Sequence, residues 1–414
     1  MMRRGVNAMG LHLAASAAMW QAGIAAAPLV CLGFGPWHSK IAARANVLAK
    51  ELQTVPPHHL AAALLKESTA RLQDFIRGVE LYQRHPYRRP PDARPVLWQR
   101  GTTRLLGPLS SGSRAVLVVP SLINRWHVLD LIPGQGFLAR LEAAGLAPYV
   151  VDWGDPGPEE TSFTNADYVV QRLEPAFEFV AEHHRAIGIL GYCLGGVLGL
   201  ALAQRKVKRT ACLMLVATPW DFARGRGMMA RLASRAPFSD GLRRSLMATG
   251  SVPADLVGQW LAMVEPGGVQ AKFRRFAAMD QSGIEAQHFV AVEDWANDGI
   301  ALSNPAASEI FRAWPARNLP MKGEFLVAGE PIRPEAVRIP AMAVSAARDR
   351  LVPAASARPL AERLPNAHLL NVDTGHIGMF VGSKADEAMG EPAAGWLSAH
   401  LPEARTDKPK RKNS

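Results

Sequence analysis

Short apolar runs alternate with longer stretches of helical period along most of this 414-residue chain. Strands are expected near Val96 and at Thr102 to Leu106, Ala115 to Val119, Pro148 to Trp153, Ala186 to Leu190, Ala211 to Ala217, Ile339 to Ala346 and His368 to Val372. Each is short, apolar and bounded by turn residues. The runs are continuous rather than alternating, so both faces are expected to be buried in a mostly parallel sheet covered by helices. Residues 1–90 read differently. Ala42 to Leu52 and Ala61 to Leu81 repeat apolar positions at helical spacing, and Pro86, Pro90 and Pro91 close the segment. After Phe222 the strand rhythm stops until Ile339, too long a gap for a plain loop. The expected organisation is a helical N-terminal extension (1–90), the first part of a core (91–222), a cap or lid insertion (223–335), the second part of the core (336–402) and a basic disordered tail (403–414). The insertion carries Met228, Met229, Met247, Trp260, Met263, Phe273, Phe276, Trp295 and Trp314. At helical spacing these residues are read both as the core of a helical cap and as the lining of an apolar acyl tunnel on its underside.

The chemistry concentrates in Gly191-Tyr192-Cys193-Leu194-Gly195-Gly196. A buried strand precedes it and an alanine-rich apolar helix follows. Strand, sharp glycine turn and helix are the nucleophile elbow of the α/β-hydrolase fold, here with cysteine where serine is usual. The residues two before and two after the nucleophile must be small, because the turn brings backbone against backbone. A buried structural cysteine is the plain alternative. The order of the other groups favours catalysis. Asp349 follows the strand Ile339 to Ala346, and His376 lies in Thr374-Gly375-His376-Ile377-Gly378 after the last strand. Nucleophile, acid and histidine in that order form the triad of this fold. Asp373, three residues before His376, is the rival acid, less suited because the acid belongs on a neighbouring strand. Cys212 sits in an apolar run and reads as core; Cys31 lacks an elbow. The oxyanion hole is assigned to the backbone N–H of Leu194 and to Leu122 or Ile123 after the strand Ala115 to Val119.

Composition adds limits. Hydrophobic residues make up 48% and charged residues 20%, enough for a sizeable core. Three cysteines do not indicate a disulfide framework, and a catalytic thiol suits a reducing cytosol. The formal net charge is +11, part of it in a tail with Lys408, Lys410, Arg411 and Lys412. That tail reads as a solubilising end, with attraction to anionic surfaces as the functional alternative. No nucleic-acid-binding motif, internal repeat or metal-spaced Cys/His cluster is present, so no metal or nucleic-acid partner is expected. Met1-Met2-Arg3-Arg4 precedes a weakly apolar stretch, Ala8 to Phe34, interrupted by His12, Ser16, Gln21 and Pro28. It reads as a surface-seeking helix rather than a transmembrane span or an export signal.

Several stretches together resemble the polyhydroxyalkanoate synthases. They are Ile123-Asn124-Arg125-Trp126-His127-Val128-Leu129-Asp130-Leu131, Val151-Asp152-Trp153-Gly154-Asp155-Pro156, the cysteine box, Thr218-Pro219-Trp220-Asp221-Phe222, Trp295 with Asn297-Asp298-Gly299, Asp349-Arg350-Leu351-Val352-Pro353 and Gly375-His376-Ile377-Gly378. The Asp-Trp-Gly turn is closest to the shorter, two-subunit synthases. Val197 and Arg350 depart from the family pattern, as do the first 90 residues and most of 223–290. The resemblance implies an α/β-hydrolase with a cysteine nucleophile that polymerises hydroxyacyl-CoA thioesters, 3-hydroxybutyryl-CoA among them, and releases CoA as a product rather than holding it as a cofactor. It implies substrate contacts from Asn124, Arg125, Trp220 and Trp295, with Arg125 meeting the CoA phosphates. It further implies a cytoplasmic protein at the surface of polyester granules, with a second synthase subunit or a homodimer as its assemblies. An intracellular depolymerase or a thioesterase would use the same triad with water as acceptor, and a granule-surface protein would not need it.

Overall fold

The computed structural model describes residues 9–32, 34, 37, 39–224, 250–262 and 266–402. Met1 to Arg4, Met228, Met229, Met247, Met263 and the tail 403–414 lie outside the described residues, as does the side chain of Trp260. In chain order the described strands are β1 (Val96–Arg100), β2 (Thr103–Leu106), β3 (Arg114–Val119), β4 (Leu146–Asp152), β5 (Ile187–Tyr192), β6 (Thr210–Val216), β7 (Ser251–Val252), β8 (Leu302–Ser303), β9 (Leu326–Val327), β10 (Glu330–Pro331), β11 (Ala341–Ala346) and β12 (Ala367–Val372). Eight of them form one sheet in the order β1-β2-β4-β3-β5-β6-β11-β12. Only the β1–β2 and β2–β4 pairings are antiparallel; the others are parallel. The fold is the expected α/β-hydrolase sheet. Its central strands explain why the runs are uninterrupted. Every residue of β5 and β11 is buried, and so are the last five residues of β3.

The backbone divides into two compact units: residues 1–87 with 262–290, and residues 88–261 with 291–414. The second unit holds the sheet and all candidate site residues. The first holds helices α1 (Met9–Cys31), α2 (Ser39–Leu52) and α3 (Pro57–Arg84) together with Pro266–Ala277 and part of Ile284–Ala296. Its core is Phe75, Val79, Tyr82, Phe273, Phe276, Ala286 and Val290. Phe276 stacks on Phe289 at 4.3 Å, and Tyr82 meets Phe273 edge-on at 5.7 Å. A Cβ on Gly78 would stand 2.1 Å from the Phe273 carbonyl oxygen, so glycine lets the two helix backbones cross closely. Phe273 and Phe276, expected both to fill a cap and to line its underside, are core residues packed against the N-terminal helices.

Helix α1 reverses one expectation. Pro28 lies inside it rather than ending it. Over His12–Cys31 the helix is long and apolar enough, by length and composition alone, to cross a membrane. Its buried polar residues are His12 and Ser16, whereas Met19, Leu29 and Leu32 at and beyond its C-terminal half are exposed.

Candidate active site

Cys193 sits between β5 and the helix Leu194–Arg205 with φ 55° and ψ −125°, a conformation that side chains rarely adopt. Its N–H donates to the Val216 carbonyl at 2.8 Å, which fixes the turn against β6. The glycines around it are required by contact. A Cβ on Gly191 would lie 2.5 Å from Gly196 Cα, and one on Gly195 would lie 2.1 Å from the Val119 oxygen and 2.4 Å from the Pro120 oxygen. Gly195→Ala is therefore expected to cost about 1–3 kcal/mol or more through forced backbone movement. Gly395, on an open helix face with nothing within 4 Å, provides the control. Gly395→Ala should stabilise by roughly 0.5–1 kcal/mol. Urea unfolding of both variants measures this, and an unchanged midpoint for Gly195→Ala would contradict the close approach.

Asp349 and His376 reach the elbow from the ends of β11 and β12. Asp349 Oδ1 accepts from the N–H groups of Leu351 and Val352, each at 2.8 Å. Its Oδ2 accepts from His376 Nδ1 at 2.6 Å. The Asp349 side chain is completely buried, and that of His376 is 9% exposed. Cys193 is among the groups whose charge acts on the His376 ring. Burial alone would lower the His376 pKa, but the Asp349 carboxylate and then Cys193 outweigh it and push it up to about 10. Asp373, the rival acid, is exposed and pairs with Arg348 at 3.1 Å. Cys212 lies in β6, where burial pushes its thiol up to about 12.

The loop after β3 passes close to the elbow. Leu194 opens its helix, where first-turn N–H groups have no partner within the helix. Of the two other candidates, Ile123 donates its N–H to Ser121 Oγ at 3.3 Å, whereas Leu122 N–H has no partner among the described residues. This favours Leu122 as the second donor.

The residues expected to touch substrate have other occupations. Trp220 is fully buried in the core and offers no surface to a ligand. Asn124 bridges the backbone of Gly299. Trp295 is 8% exposed and donates its indole N–H to the Arg125 carbonyl at 2.7 Å. Arg125 pairs with Asp155 at 3.2 Å and Asp298 at 3.0 Å, so its charge is compensated inside the protein.

Sequence reasoning missed Tyr192. Its ring centroid lies 5.1 Å from that of His376 and 4.9 Å from that of Phe380, and its hydroxyl donates to the His376 carbonyl at 3.4 Å. Burial pushes the phenol well above its usual pKa, so it remains a neutral donor. The only signal in the sequence is its place directly before Cys193. Among the described residues no cluster of three or more His, Cys, Asp or Glu could hold a metal ion.

Residues 181–383 match the family model of the alpha/beta hydrolase fold. The chain is 25% identical over 297 residues to a poly(3-hydroxyalkanoate) polymerase subunit PhaC of Haloferax mediterranei, covering 70% of this chain and 60% of that one. It is 26% identical over 293 residues to the subunit of the same name from Synechocystis, covering 68% and 77%. This chain therefore spans about three fifths of the length of the first relative. An alpha/beta hydrolase fold protein from Nakamurella multipartita, of known structure, aligns with 73% of this chain and 99% of its own at 20% identity and a TM-score of 0.44. Sheet order, family match and relatives together make the chain an α/β-hydrolase-fold protein related to the poly(3-hydroxyalkanoate) polymerase subunits.

Proposed function

We propose that the chain is an acyltransferase that polymerises hydroxyacyl-CoA thioesters through a covalent acyl-Cys193 intermediate. The observation that carries this reading is a cysteine on a strained elbow, interacting with a histidine that a buried carboxylate orients. Cys193 transfers its proton to His376, and the thiolate attacks the thioester carbonyl. The N–H groups of Leu194 and Leu122 receive the developing oxyanion. The carbon–sulfur bond to CoA breaks, His376 returns the proton, and CoA leaves as the free thiol. Sulfur-to-sulfur transfer keeps the acyl group activated. A hydroxyl, from a growing polyester end or a second hydroxyacyl group, then attacks the acyl-Cys193 carbonyl. His376 takes the hydroxyl proton, an ester forms, and the Cys193 sulfur is released and reprotonated. Asp349 holds the ring and stabilises its charged form throughout. The near-complete burial of Cys193, at 6% exposure, supports a hydroxyl acceptor over bulk water.

The relatives bear the word subunit in their names, which supports a second chain in the working enzyme, with a homodimer as the simpler assembly. The product would place the protein in the cytoplasm at the surface of its polyester. No cofactor or metal enters the steps above.

The test incubates the purified full chain with 3-hydroxybutyryl-CoA, follows free thiol, and separates insoluble polymer from free acid. Thiol release with polymer is the expected result. Thiol release with free acid alone would make the protein a thioesterase. Without release, amorphous polyester granules as substrate would reveal a depolymerase.

A further inference from the structure

We infer that Arg125, Trp153 and Trp295 are positioning residues that clamp the loop carrying the Leu122 N–H at both of its ends. The inference deepens the acyl-transfer reading and rests on it for its consequence, though the clamp itself is read from contacts alone. At the near end, the Trp153 indole N–H donates to the Pro120 carbonyl at 3.1 Å. At the far end, the Trp295 indole N–H donates to the Arg125 carbonyl at 2.7 Å. Between these points Ile300 N–H donates to the Ile123 carbonyl at 3.0 Å, and Asn124 bridges Gly299. The Arg125 side chain closes the ring. Its Nη2 donates to Asp155, which lies on the turn that carries Trp153. Its Nε donates to Asp298, which lies on the segment that carries Trp295. Asp155 also accepts from the N–H of Ala301, joining those two segments directly.

Two stretches far from the loop in sequence thus meet around its six residues. The loop is also held tightly against the elbow, since Val119 and Pro120 are the atoms a Cβ on Gly195 would strike. A backbone donor contributes to catalysis only where it is fixed before charge develops, and a displacement of about 1 Å can cost roughly 100-fold. Arg125 faces two carboxylates. It presents no net positive charge to a phosphate, so the clamp replaces its expected contact with CoA.

The experiment uses the full chain with Trp295→Phe, which keeps the ring and removes the donor, and with Arg125→Gln. Each is assayed with the same 3-hydroxybutyryl group on CoA and on N-acetylcysteamine, a thioester without a nucleotide. The clamp gives a kcat reduced roughly tenfold to 100-fold on both substrates, with KM within about twofold. Alkylation of Cys193 by iodoacetamide, which forms no oxyanion, keeps its wild-type rate. A raised KM on the CoA thioester alone would make Arg125 a phosphate ligand and overturn the inference, as would an unchanged kcat. If the wild type turns over neither thioester, the acyl-transfer reading fails on its own. Hydrogen exchange at the Leu122 and Ile123 amides then decides the clamp. Faster exchange in both variants supports it, and unchanged exchange overturns it.

Discussion

Cys193→Ala should abolish acyl transfer, lowering thiol release by a factor on the order of 10⁵–10⁶, the loss seen when a nucleophile is deleted from a working triad. The wild type incubated with substrate should carry an acyl adduct on the peptide containing Cys193, and the variant should carry none. The fold has little reason to change, because the side chain is small and alanine adopts φ 55° with the same strain as cysteine. That strain supplies a second readout. Cys193→Gly removes a conformational penalty of about 1–3 kcal/mol, while glycine returns roughly 0.5–1 kcal/mol as unfolded-state entropy. The glycine variant should therefore unfold at higher urea than the alanine variant while being equally inactive. A position that is more stable without its side chain holds that side chain for reasons other than stability. Thiol release retained above about 1% in Cys193→Ala would place the nucleophile elsewhere. The other described cysteines are poor replacements, Cys212 being buried with its thiol pushed up to about 12, and Cys31 lying on α1.

The elements that sequence made legible are those whose physics is local. A strand buried on both faces must be apolar throughout, so β3, β5, β6 and β11 stand out as runs. The elbow is legible because Gly191 answers to a contact with Gly196, a few residues along the chain, even though Gly195 answers to the distant Val119 and Pro120. Asp349 could be preferred to Asp373 because strand order alone sets which loop faces the elbow. The unread part depends on distant partners. Nothing near Arg125 indicates that Asp298, 173 residues away, takes its guanidinium, so in the sequence its charge reads as uncompensated. Trp295 likewise finds its acceptor 170 residues away. Helical period marks an apolar face without naming what covers it. For that reason Phe273 and Phe276 could be expected in a core, but not in one shared with Phe75, Val79 and Tyr82. The pair β7–β8, two residues to a strand, is too short to leave any period.

Asp349→Asn should lower kcat by about 10⁴, because it forces the wrong tautomer on His376. The Leu351 and Val352 N–H groups both donate to Oδ1 and would retain the amide oxygen at that position. The amide NH₂ would then stand where Oδ2 now meets His376 Nδ1. Facing a donor, Nδ1 must accept, and the proton moves to Nε2, the nitrogen that has to take the proton of Cys193. The same substitution should change how stability depends on pH. In the folded wild type His376 is held near 10, above its ordinary 6.5. A raised pKa means that its contribution to stability is fully present below 6.5 and is lost as pH rises through about 10. Removing the carboxylate removes the largest influence that raises it, so the ring falls back from about 10 toward its ordinary value. Urea unfolding across this window should show wild-type stability falling with rising pH, and Asp349→Asn should lack that fall. Asp373→Asn, at an exposed carboxylate paired only with Arg348 among the described residues, should leave both kcat and the pH slope unchanged. Activity of Asp349→Asn within about tenfold of wild type would remove Asp349 from the triad. A loss of activity with an unaltered pH slope would mean that the carboxylate orients the ring without holding its charge.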